Sequence, residues 1–418
     1  TDRTAYAKMG QTWSIPVVGF MDRANPIYLS PRANRGQIDH VLFMGSGYGD
    51  TLSEGTTFYT LDALTGDVVA SADVEAVASS FGLTRSLPYA NALVANPAGF
   101  NPEAFSVLQT IHPAASVLTR VYIGDVHGRV WKFLTARPDL AIPLADLGPG
   151  QPVATAVSLL GLPPRPDTPV PYVFVTSGAD GRQVTGPFRN FGFIDKGGDV
   201  PATPDGTSGS TVVNATRTYL PVEPLFERDF DQGEPEVDCG YTTEAVFRGT
   251  VQPATAFECD EIVADPATGQ QQCVGIEGRV FFAGTRLSLP NTRFAPPTPL
   301  ACGNQGEYPC RSQFDSIIYA LGAKTGLAAY DLNSATDDAY RIFRDSRIGG
   351  VKLEADPDPN RGGSRFTPDE GQIKGVPKPP PPPGVPPTAN SATANVLMTR
   401  EPGQPPPAVR YGSTVCQQ

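Results

Sequence analysis

Val121 to Phe133 reads VYIGDVHGRVWKF. An apolar run stops at Gly124, the chain turns at Asp125-Val126-His127-Gly128, and Arg129 to Leu134 (RVWKFL) runs back. Apolar strand, Gly-containing turn and returning strand make a β-hairpin. The unit recurs. His40 to Gly47 (HVLFMGSG), Tyr172 to Gly178 (YVFVTSG) and Gly278 to Gly284 (GRVFFAG) are further apolar runs ending in Gly.

One repetition is close. Tyr59 to Gly66 (YTLDALTG) matches Tyr319 to Gly326 (YALGAKTG) at Tyr, Leu, Ala, Thr and Gly. Each copy follows an apolar strand and leads into a third strand, Asp67 to Ala70 in one and Leu327 to Leu332 in the other. Gly66 stands where the turn needs positive φ, which Gly adopts without steric cost. Spaced strand–turn–strand units mark a β-propeller or a related array, with a β-sandwich as the plainer alternative. The expected fold is all-β: a modified propeller with long loop insertions. The propeller-like domain spans residues 1–353, with an insertion at about 183–240 and a short helix over Val74 to Phe81. Residues 354–418 form a Pro-rich strap and tail, in which Pro379 to Pro383 favours polyproline II and Val396-Leu397-Met398 regains apolar character.

Composition narrows the function. Gly (43) and Pro (44) fill about a fifth of the 418 residues, and only 18% are charged, which suits short strands and long loops rather than surface helices. The net charge is −11 with no Lys/Arg cluster, so nucleic acid is excluded as a partner. No apolar stretch is long enough for a membrane span, and no leader is visible. Because Thr1 is not an initiator Met, the chain reads as a processed product or a fragment of a longer precursor.

Six cysteines (Cys239, Cys259, Cys273, Cys302, Cys310 and Cys416) contain no CxxC pair, and all three histidines precede them. Disulfides in an oxidising compartment are expected over a zinc site. Cys302 and Cys310 bracket a short loop with two Gly, and Cys259 and Cys273 flank a turn that would set them on adjacent strands. Cys239 is left to pair with Cys416 across a long loop.

The same residues resemble the C-terminal domain of the PilY family of type IV pilus-tip proteins. Met9 to Pro16 (MGQTWSIP) looks like the family's "GxTWSxP" segment, and Val41 to Tyr48 with Tyr59 to Gly66 looks like its "GNGY … YVxDxxTG" blade. Val121 to Phe133 is similar to "YAGDLxGNLWKFD". Pro143-Leu144 with Gln151 to Thr155 resembles "PLF … QPITAAP", and Tyr172 to Gly178 resembles "VYFGTG". Order and spacing agree over about residues 9–182; beyond that only the copy at 317–332 matches. The resemblance implies a modified propeller at or near a pilus tip, exported through the periplasm to the cell surface. It implies roles in pilus assembly, retraction control and adhesion, without catalysis. The implied partners are minor pilins of the tip or an upstream segment of the same precursor, and a host or abiotic surface. Two departures stand out. The family's Asp-rich calcium loop has no counterpart in Asn96 to Thr119, which holds no Asp. The blades that precede "GxTWSxP" are missing, so another segment closes the propeller or the array stays open.

No catalytic or cofactor-binding residue is assigned, and calcium is the one cofactor left open. Asp356, Asp358 and Asn360 match the first three ligand positions of an EF-type loop, but without Gly at the sixth and an acid at the twelfth. Asp229 and Asp231 are a second candidate, and for both the alternative is a solvated acidic loop. His127 could act as a base beside Asp125, though a turn residue is the plainer reading. Trp131 is expected in the core with its indole N–H bonded. Gly45-Ser46-Gly47 and Gly178 read as turns, since no GxxxxGK[ST] follows. The leading function is a non-enzymatic pilus-associated adhesin and assembly factor. The alternatives are a quinoprotein dehydrogenase, whose blade repeat the Tyr-x-Leu-x-Ala-x-Thr-Gly turn also resembles, and a carbohydrate-binding module.

Overall fold

The computed structural model describes residues 3–21, 39–49, 53–85, 93–100, 118–162, 170–179, 186–197, 210–213, 216–219, 222–231, 241–242, 246–264, 271–287, 289–290, 314–329, 339–343, 348, 351–355, 364–365, 373–374 and 395–398. The fold is all-β, a series of antiparallel sheets met in chain order.

Sheet A contains β1 (Val17–Met21), β2 (Asp39–Gly45), β3 (Thr57–Asp62) and β4 (Val68–Asp73), side by side in that order. Helix α1 (Val74–Ser80) follows, with the Asp73 carboxylate capping it by accepting from the Glu75 and Ala76 amides. Sheet B is built on β5 (Ala98–Phe100), β6 (Arg120–Gly124), β7 (Arg129–Leu134) and β8 (Arg137–Asp146). Sheet C takes β9 (Ser158–Leu162), β10 (Val170–Thr176) and β11 (Arg189–Asp195). The chain then leaves sheet C and forms a hairpin of β12 (Ser210–Val213) and β13 (Thr216–Tyr219). There β13 pairs with β8 of sheet B, Arg217 opposite Asp146, before β14 (Val222–Asp229) returns as the last strand of sheet C. A small pair joins β15 (Tyr241–Thr242) to β19 (Leu289–Pro290). Sheet D has β16 (Arg248–Gly249), β17 (Ala254–Ala264), β18 (Gln271–Leu287), β20 (Phe314–Gly322) and β21 (Tyr340–Phe343). A last sheet joins β22 (Val351–Ala355) and β25 (Asn395–Met398), with β23 (Ser364–Arg365) and β24 (Ile373–Lys374) at its edges.

The runs expected as strands of separate blades fall in β2, β6 and β10 of sheets A, B and C, and the short helix is α1. Strand side chains alternate between faces, and here both faces are buried. From sheet B, Val121, Ile123, Trp131 and Phe133 pack on Val41, Phe43 and Phe58 of sheet A. Tyr122, Val130 and Leu144 point the other way, onto Val173, Val175, Phe191 and Phe193 of sheet C. Phe174 of sheet C meets Phe282, Ile317 and Tyr319 of sheet D. The Phe58 and Phe133 rings stack with centroids 3.9 Å apart. Face-to-face stacking of successive sheets explains why these strands read as nearly continuous apolar runs.

The two copies of the Tyr-x-Leu-x-Ala-x-Thr-Gly turn close with the same backbone bond, though Asp62 Oδ1 accepts the Leu64 and Thr65 amides in the first copy and the Gly322 carbonyl accepts the Thr325 amide in the second. The Gly66 amide donates to the Asp62 carbonyl and the Gly326 amide to the Gly322 carbonyl, each at 2.8 Å. Their φ angles are +73° and +65°. The third strand of the first copy is β4, whereas that expected for the second copy is described only to Ala329, Tyr330 to Leu332 lying outside the described residues. Just after Gly326, Ala328 bridges Leu321 and the Ala329 amide donates to the Ala320 carbonyl, with Leu327 67% exposed. Beside β20 runs β21, which packs Tyr340 and Ile342 on the core.

The stretch expected as an insertion, 183–240, is also divided. Within it, β11 and β14 are integral to sheet C, and among the described residues the β12–β13 excursion between them leaves the sheet. Pro379 to Pro383 lies outside the described residues.

Candidate functional site

The hairpin at 125–131 supplies the densest polar chemistry. The Asp125 carboxylate is fully buried and accepts four N–H bonds. Oδ1 takes the His127 amide at 2.9 Å and the Arg129 amide at 3.0 Å, which shapes the turn. Oδ2 takes Arg129 Nε at 2.8 Å and Trp131 Nε1 at 2.7 Å. Arg129, also fully buried, donates onward to the Leu83 carbonyl at 3.1 Å and to Glu75 on α1 at 2.9 Å. Burial works against the Arg129 charge, but Asp125 and Glu75 outweigh it and hold the guanidinium pKa above its ordinary value. Trp131 is thus a core residue with its indole N–H bonded, as expected. His127 is buried, with Nδ1 3.4 Å from Arg129 Nη2 and its carbonyl accepting from Arg85 Nε at 2.7 Å. The bonds of Arg129 to Glu75 and Leu83, and of Arg85 to the His127 carbonyl, tie the hairpin to α1 and to the loop after it.

A second hub sits on the opposite face of sheet B. Asp195, at the end of β11, accepts the Tyr122 hydroxyl at 2.7 Å, Lys132 Nζ at 3.1 Å and the Gly197 amide at 3.1 Å. Lys132 and Asp195 are both buried, and the pair joins sheets B and C. Burial first, and then the neighbouring carboxylate, pushes the Tyr122 pKa well above the ordinary 10.0. A third buried pair, Arg286–Asp315, lies within sheet D at 3.2 Å, with the guanidinium 4.4 Å from the Phe247 ring centre.

The Tyr122 shift carries a pH signature. Unfolded, the phenol ionises near 10.0; folded, it keeps its proton to higher pH. Its contribution to stability is therefore complete below about pH 10 and is lost as pH rises through the folded pKa. Stability measured by urea melts is expected to fall more steeply above that pH in the wild type than in Tyr122→Phe. Equal slopes in the two proteins would refute this.

A cavity of about 660 Å³ opens where the segments leading into successive sheets converge. Its wall includes Asn96 ahead of β5, Ala154 to Ala156 ahead of β9, and Thr250 to Thr255 running into β17. Two of these segments repeat each other: Gln151-Pro152-Val153-Ala154-Thr155 and Gln252-Pro253-Ala254-Thr255. They are stitched together across sheets C and D. Gln252 Nε2 donates to the Val157 carbonyl at 3.1 Å and Thr255 Oγ1 to the Leu159 carbonyl at 2.8 Å, and the Ser158 hydroxyl donates to the Pro253 carbonyl. Asn96 Oδ1 accepts the Ile15 amide at 2.7 Å. Sequence reading missed this cavity, although the repeated Gln-Pro segment was its available signal.

The other singled-out residues do not converge. Asp229 pairs with Arg189, while the Asp231 amide donates to the Tyr319 hydroxyl at 2.6 Å. No cluster of three or more His, Cys, Asp or Glu able to hold a metal occurs among the described residues. Asp356, Asp358 and Asn360 lie outside those residues, as does 101–117, most of the stretch expected to lack calcium. Gly47 and Gly178 take positive φ, Gly47 in a bridge to Leu93 rather than a turn, and Ser46 Oγ accepts the Thr57 amide at 2.9 Å. Cys239, Cys302, Cys310 and Cys416 also lie outside the described residues. Cys259 and Cys273 do fall on the adjacent strands β17 and β18, but Cys259 is opposite Ile276 and Cys273 opposite Ile262. Three positions out of register is about 10 Å along the strands, beyond the roughly 7 Å Cα separation a disulfide spans.

No protein-family model matches the chain, and no curated protein does. Among solved structures, it is similar to the crystal structure of the Pseudomonas aeruginosa PilY1 C-terminal domain. The TM-score is 0.46 at 13% identity, covering 90% of this chain and 75% of that one. This is a distant structural likeness.

Proposed function

We propose that this chain is a non-enzymatic protein of the type IV pilus tip, acting outside the cell as an adhesin and as an assembly and retraction factor. One observation carries the reading. In VYIGDVHGRVWKF, the segment with the most specific pilus-tip resemblance, Asp125, Arg129 and Trp131 bond one another and α1 rather than facing an opening. Such a network holds a scaffold in shape. An acidic, nucleic-acid-averse surface and the expected oxidising compartment fit export. Its partners are then minor pilins of the tip and the surface to which the cell attaches.

The test is genetic. Deleting the gene in the source bacterium is expected to remove most surface pili and attachment, with both restored by the wild-type gene. Normal piliation and attachment in the deletion strain would sink the proposal. Quinone- and calcium-dependent dye reduction by the purified protein would favour the dehydrogenase instead.

A further inference from the structure

We infer that the cavity between the Gln-Pro segments is a binding site for a neutral saccharide. This names a ligand class for the binding reading above and rests on it. The cavity, at about 660 Å³, falls within the roughly 300–1,000 Å³ of small-ligand sites. Its described lining offers hydroxyl and carboxamide groups from Asn96, Thr155, Ser158, Thr250, Gln252 and Thr255, and neither an acid nor a base. A carboxylate or phosphate would find no cation there, and the net charge of −11 would repel it. An ammonium would find no carboxylate.

Hydrogen-bonding capacity remains on this wall. Asn96 Oδ1 is taken by the Ile15 amide, and Gln252 Nε2 by the Val157 carbonyl. That fixes both carboxamides and leaves the Asn96 amino group and the Gln252 carbonyl oxygen to be presented. A ligand rich in hydroxyls, each both donor and acceptor, matches such a set.

The alternative occupant, a peptide added as a strand, meets an obstacle. The outer edge of β9 would have to receive it, but the Val157 and Leu159 carbonyls at that edge already accept from Gln252 and Thr255. Recognition through side chains is left open where pairing through backbone is blocked.

Saturation-transfer NMR on the full chain, with glucose, galactose, N-acetylglucosamine and N-acetylneuraminate as probes, tests the site. Neutral sugars are expected to receive saturation and the anionic N-acetylneuraminate is not. Gln252→Ala should weaken neutral-sugar binding by about tenfold, the scale of one lost hydrogen bond. Ala154→Phe, which fills the cavity from a half-buried wall position, should abolish it while the circular dichroism stays native. Three results overturn the inference: no transfer to any sugar, equal transfer to N-acetylneuraminate, or full binding in a folded Ala154→Phe. No sugar signal together with a deletion strain that still loses its pili would remove the saccharide site alone. Sugar binding that Ala154→Phe abolishes, together with normal piliation in the deletion strain, would support the site and overturn the pilus reading.

Discussion

Asp125→Ala is expected to cost about 3–5 kcal/mol, the range for stranding one partner of a buried ion pair. The carboxylate accepts four N–H groups, and its loss leaves the Arg129 guanidinium at 0% exposure with only part of its bonding. Glu75 is 30% exposed and reaches only Nη2, so it cannot replace the lost partner. Asp125→Asn should do little better. Both oxygens of Asp125 face donors, so an amide nitrogen at either position meets another N–H. Urea melts followed by tryptophan fluorescence and by circular dichroism read the effect. A loss below about 1 kcal/mol, the worth of one ordinary hydrogen bond, would show that the network is not a keystone of the fold.

Asp195→Ala should be nearly as damaging, again about 3–5 kcal/mol, because it strands Lys132 at 1% exposure. It also removes the acceptor of the Tyr122 hydroxyl and the Gly197 amide. Lys132→Met should cost clearly less. The carboxylate then keeps Tyr122, Gly197 and, at 3.9 Å, Arg120, while the methionine chain fills the space of the lysine stem. Paired melts of the two variants decide the order. If Lys132→Met were the more destabilising, Asp195 would not be the hub that joins sheets B and C.

Local order was the legible part. Val121 to Phe133 announces a hairpin because its turn chemistry and apolar runs are contiguous, and Gly66 and Gly326 announce their turns because φ near +70° favours Gly. Trp131 could be placed in the core, but not its partner. Long-range matters were hidden. Lys132 and Asp195 are 63 residues apart, and nothing in either local stretch points to the other. Phe191 and Phe193 sit fully in the core, yet the Gly, Thr, Pro and Asp around them gave that stretch the look of an insertion. The cavity was hidden for a related reason. It is made of short polar segments from different sheets, and only the recurrence of Gln-Pro and Ala-Thr hinted that they occupy equivalent places.

The β12–β13 hairpin belongs to sheet C by chain order and to sheet B by pairing. Stacked arrays whose units touch only their neighbours can come apart one unit at a time. Here the middle of the array is sewn rather than stacked. Drawing β14 away from β11 drags on β13, and freeing β13 strips the outer side of β8, where Arg217 and Thr218 face Asp146 and Ala145. Under tension along the chain, sheets B and C must yield together, so the first pieces to unravel are those outside the stitch. A protein held between a fibre and a surface would keep this central pair intact while its flanks give way.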